Sequence, residues 1–132
     1  MSTKIKARRA GHWWMQQAAA AARAMAAPAA PDELTREFDR ITAVTGCKFG
    51  YAVAELRAPG RHENRRAFVR GVAMLLMREL TRASAEKIAV YFQHTPATVY
   101  FQTRTVRDVI SVHASDAARV AALRAELSAN PQ

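Results

Sequence analysis

The chain has 132 residues, half of them hydrophobic, and its 20 Lys+Arg against 11 Asp+Glu leave a formal net charge of +9. A domain of roughly 100 residues buries a core without metals or disulfides, so a wholly disordered chain is excluded. A P-loop ATPase is also excluded, because no Gly-x-x-x-x-Gly-Lys-Ser/Thr run is present to cradle phosphates. Cys47 stands alone, so no intrachain disulfide forms and a reducing cytoplasm is the expected location. A surface this basic attracts polyanions, nucleic acid first among them.

Residues 1–31 carry Lys4, Lys6, Arg8, Arg9 and Arg23 and no acid. Gln16, Gln17 and Arg23 interrupt the apolar stretch that a secretory signal needs, and no run reaches the roughly 18 apolar residues of a membrane span. The prolines at 28 and 31 break any helix arriving from the Ala18–Ala22 run. This segment reads either as a low-complexity extension or as an arm. In the second case Trp13 and Trp14 anchor a partner protein, such as RNA polymerase or another DNA-binding factor, or the basic residues follow DNA backbone.

Beyond Pro31 the pattern is helical. Leu34, Phe38, Ile41 and Thr45 recur at spacings of three and four after Asp32 as a cap, and Gly46 is the expected stop. A short apolar piece, with Tyr51, Val53, Ala54 and Leu56, ends at Ala58-Pro59-Gly60. Residues 61–70 hold Arg61, Arg65, Arg66 and Arg70 against Glu63 alone, a second basic block. From Asn64 to Arg82 the spacing predicts a long helix. Phe68, Val69, Val72, Ala73, Leu76 and Leu80 share its inner face, and Met74, Leu75 and Met77 widen that face nearly all round, so the helix is expected at the centre of the core.

Ser84 caps the next predicted helix, which carries Ile88, Ala89, Tyr91 and Phe92 and stops at Gln93-His94. Thr95 then supplies an N-cap oxygen and Pro96 takes the first helical position, where its missing N–H costs nothing. This helix is expected over 96–111, with Val99, Val106, Val109 and Ile110 inward. Ser115 and Asp116 open a last amphipathic helix with Val120, Leu123 and Leu127. The expected fold is all-α, a multi-helix domain over 32–132 with five or six helices.

The run from Ile88 to Val99 has the pattern of a helix-turn-helix, the unit that seats a second helix in the major groove. Ala89 is the small residue where the helices cross, Ile88 and Phe92 face the core, and Val99 seats the second helix. Gln93 occupies the turn position that usually holds Gly, at a cost if its φ is positive. In that geometry Thr95, Ala97, Thr98, Tyr100, Phe101 and Arg104 face base edges, with Arg107 further along the same helix. Arg104 has the chemistry to donate twice to a guanine, and the Thr and aromatic side chains to touch thymine methyls or sugars. Core residues of the helix are the other role open to Tyr100 and Phe101.

Residues 38 to about 128 resemble the C-terminal DNA-binding domain (domain IV) of the bacterial replication initiator DnaA, a helical domain of the Trp-repressor type. The matching residues come in order: Val53-Ala54-Glu55-Leu56, the run from Val72 to Thr81 ending in Glu79-Leu80-Thr81, then Ser84, Glu86, Ile88 and Phe92, and Thr98-Val99 with Arg104. The family's reading run, Arg-Asp-His-Thr-Thr-Val, corresponds here to His94, Thr95, Pro96, Ala97, Thr98 and Val99, and only the last two are kept. The resemblance implies double-stranded DNA binding by the same docking mode with another site preference. No ATPase domain is present, so replication initiation is not implied. Free-standing domains of this kind also occur in regulators of phage-like gene transfer agent clusters, which makes a nucleoid-associated transcription regulator the implied role. The resemblance further implies a minor-groove arginine in the loop before the long helix, and Arg61, Arg65 and Arg66 all qualify. Phosphate contact and a merely solvated face are the other roles open to them.

The four histidines, His12, His62, His94 and His113, are too scattered for a zinc spacing with one Cys. No nucleophile–base context is present either, so neither catalysis nor a cofactor is expected. An adaptor that keeps the same fold and works through Trp13 and Trp14 is the alternative function.

Overall fold

The computed structural model describes residues 32–60 and 63–129, and the segment with Trp13 and Trp14, together with Arg61, lies outside them. Every regular element among the described residues is an α-helix: α1 Glu33–Phe49, α2 Val53–Arg57, α3 Asn64–Thr81, α4 Ala85–Phe92, α5 Pro96–Val112 and α6 Ala114–Ala129. The described residues are all-α, as their periodicity predicts.

The helix starts follow capping chemistry. Asp32, Glu63, Ser84 and Thr95 each accept a hydrogen bond from the backbone N–H three residues on, which satisfies one of the donors a helix N-terminus leaves open. One expected stop is wrong. α1 runs through Gly46 and ends at Gly50, whose φ of 87° is the left-handed C-cap conformation. Gly46 is needed for a different reason. The Tyr51 N–H donates to its carbonyl at 2.8 Å, and a methyl group at Gly46 would collide with the Tyr51 carbonyl oxygen as the chain folds back.

α3 forms the centre. Ten consecutive residues, Phe68 to Met77, are buried on it, because α1, α4, α5 and α6 all pack around it. Phe38 and Ile41 from α1, Leu56 from α2, Ile88 and Phe92 from α4, Val99 and Val106 from α5, and Val120, Leu123 and Leu127 from α6 complete one apolar core. Val109 and Ile110 are only half-buried at its edge. Gly71 sets the distance between α3 and α5. A Cβ there would stand 2.7 Å from Val106 Cγ2 and 3.1 Å from the Gln102 carbonyl oxygen, so only hydrogen fits at the crossing.

Candidate nucleic-acid interface

α4 and α5 are joined by a three-residue turn, residues 93–95. Gln93 adopts φ 59° and ψ 46°, the left-handed region that a side chain enters only at a cost. Its N–H and that of His94 donate back to Val90 and Ala89 carbonyls at 3.1 and 2.8 Å, which closes the end of α4. α5 then starts at once, with the Thr98 N–H donating to Thr95 Oγ1 at 3.2 Å and Pro96 inside the first turn. Hence the two helices keep a fixed relation through a turn that has no slack.

The turn is also tied from beneath. Arg70, buried on α3, donates from Nε to Gln102 Oε1 at 3.2 Å and from Nη1 toward His94 Nε2 at 2.9 Å. Guanidinium has only donors, so His94 Nε2 is the accepting atom of this contact. Burial first, and then the nearby Arg66 charge, pull the Arg70 pKa below its ordinary value. His94 therefore serves as an internal brace for the turn. Arg70, which the sequence shows only as one more cation, joins α3, the turn and α5.

The opposite face of α5 is open. Val99, Thr103 and Val106 point into the protein, while Thr95, Ala97, Tyr100, Phe101, Arg104 and Arg107 are exposed. Tyr100 and Phe101 keep 52% and 68% of their surface in solvent, which rules out the core role open to them on sequence grounds. The Arg78 guanidinium, from α3, stacks 5.0 Å from the centre of the Tyr100 ring. Arg78, Tyr100, Phe101, Thr103, Arg104 and Arg107 line one shallow hollow. Among the described residues, Arg78, Arg104 and Arg107 have no ion-pair partner, although Arg40, Lys48, Arg65, Arg66 and Arg124 each have one. Arg78, which the sequence does not single out, joins this cluster. Its only sequence signal is a charge interrupting the apolar run of α3.

Arg65 and Arg66 are placed differently. Arg65 forms a two-pronged pair with Asp116 of α6, at 3.1 and 3.3 Å, and lies about 5 Å from the rings of Phe49 and Phe68. Arg66 pairs with Glu63 at 3.0 Å, and Glu63 also accepts from Tyr51 Oη. Neither arginine is the merely solvated charge weighed from the sequence. Arg65 shares a hollow with Val109, His113 and Asp116, at the end of α5 remote from Thr95. The structure thus gathers Tyr100, Phe101, Arg104 and Arg107 around Arg78 and leaves Arg65 outside that cluster.

Among the described residues no group of His, Cys, Asp and Glu has the arrangement to hold a metal, and no helix is long and apolar enough to cross a membrane. No family model matches the chain, and a search of the curated proteins finds no relative.

Proposed function

We propose that the domain is a sequence-specific binder of double-stranded DNA, a transcription regulator without catalytic activity, that works on the nucleoid and lays α5 in the major groove. The observation that carries this reading is the exposed face of α5, where Ala97, Phe101 and Arg104 project along one side beside Tyr100, and Arg78, Arg104 and Arg107 have no acidic partner among the described residues. Leaving three cations unpaired on one face is favourable when a polyanion fills it, since phosphate contacts supply affinity through counterion release. The three-residue turn, a capped α5 and the buried, small Ala89 support α4–α5 acting as a helix-turn-helix, with the first turns of α5 meeting base edges. The resemblance to DnaA domain IV points the same way. Control of a phage-like or gene transfer agent cluster is the role we propose on that resemblance. The test is selection from a random 20-base-pair duplex library by the full chain. An enriched motif supports the reading, and a library that stays random after repeated rounds contradicts it.

A further inference from the structure

Resting on that reading, we infer that the α5 face recognises thymine chiefly through its C5-methyl group, with Arg104 as the polar reader. The inference follows from what the first turns of α5 offer to each base edge. Adenine is read by a side-chain amide and cytosine N4 by a carboxylate. The amide on α5, Gln102, is half-buried and has its Oε1 engaged by Arg70. The carboxylate on α5, Asp108, lies twelve residues beyond Pro96, about 18 Å along the axis at the usual helical rise, and so beyond the bases that the start of the helix meets.

The threonine hydroxyls on this helix also have partners within it. Thr95 Oγ1 accepts the Thr98 N–H and lies 3.1 Å from Thr98 Oγ1, Thr103 Oγ1 donates to the Tyr100 carbonyl at 3.1 Å, and Thr105 Oγ1 donates to the Phe101 carbonyl at 2.9 Å. Apart from the arginines and the Tyr100 hydroxyl, what remains toward the groove is apolar: the Ala97 methyl and the rings of Tyr100 and Phe101. Phe101 follows Ala97 by one turn on the same side, and it is the more exposed of the two aromatic residues. An exposed ring of that size gains most from a hydrocarbon partner, and the thymine C5-methyl is the hydrocarbon that an unmodified major groove presents. The Arg78 stack holds the neighbouring Tyr100 ring in place beside it.

The experiment selects a site with the full chain from a random duplex library made with thymine, then resynthesises the selected duplex with deoxyuridine at every thymine. This substitution removes only the methyl groups. Affinity is expected to fall about four-fold for each contacted methyl, while binding to an unselected duplex stays the same. Phe101→Ala is expected to bind the thymine and deoxyuridine duplexes alike. If a motif is enriched but the two duplexes bind equally, methyl recognition is overturned and the proposed function stands. If Phe101→Ala still discriminates between them, the assignment to Phe101 is overturned. If no motif is enriched from the library, the proposed function fails and takes the inference with it.

Discussion

The outer face of α5 and the head of α3 both carry a cluster of arginines beside aromatic rings, yet the two clusters are built in opposite ways. At the start of α3, Arg65 is bound to Asp116 and stacked near Phe49 and Phe68, and Arg66 is bound to Glu63. On α5, Arg104 and Arg107 have no acidic partner among the described residues, and the rings beside them face solvent. The first cluster holds α3 to α6. The second has no such tie, and it is the face we propose for DNA. Formal charge along a chain counts both alike, and only the positions of the carboxylates separate a paired arginine from an unpaired one.

The largest effect is expected at the closed cluster. Arg65→Ala removes the two-pronged partner of the Asp116 carboxylate, a charge-assisted pair whose loss costs about 2 kcal/mol. Chemical denaturation reads that loss directly, and the preferred DNA site is expected to stay the same. The same pair gives a pH signature. The hydrogen bond from Arg65 holds the Asp116 carboxyl below its ordinary 3.8. A depressed folded pKa adds stability that is complete above the unfolded value and is lost as pH falls through the folded one. Acid unfolding of Asp116→Asn is therefore expected to be flatter than that of the parent in this window.

The next effect belongs to the open cluster and has the reverse character. Arg104→Ala is expected to leave the melting temperature unchanged, since its side chain holds nothing within the described residues. It is expected to weaken binding to a selected site by about 1.5 kcal/mol and to relax preference at one base position. The smallest effect lies in the turn between α4 and α5. Gln93→Gly relieves a left-handed residue, worth about 1 kcal/mol, against the larger backbone entropy that glycine loses on folding. A gain of about 0.5 kcal/mol remains, with DNA binding retained because the turn geometry is kept.

Much of this architecture was legible in the sequence. The caps at Asp32, Ser84 and Thr95 and the apolar spacing of α3 are local signals, and each marks its element correctly. The Gln93 turn position was legible too, while the sign of its φ was left open by the pattern and is positive in the structure. Gly46 misled because glycine serves both as a helix stop and as a site of close approach, and deciding between them requires knowing where Tyr51 folds back. The exposure of Tyr100 and Phe101 was undecidable from periodicity, since α5 buries only a narrow stripe through Val99, Thr103 and Val106. The pairing of Arg65 with a residue 51 positions away, and the approach of Arg78 to Tyr100, are tertiary contacts with no local trace. Arg70 is the clearest case, because a buried arginine bracing the turn reads in sequence as one more surface charge.

The central claim is that duplex DNA meets this domain on the open face of α5, and backbone amide shifts on titration with a selected duplex test it most directly. Within residues 32–129 the account predicts the largest shifts over residues 95–107 and at Arg78, with α1 and α6 unmoved. Shifts centred instead on Glu63, Arg65, Arg66 and Asp116, with α5 silent, contradict it.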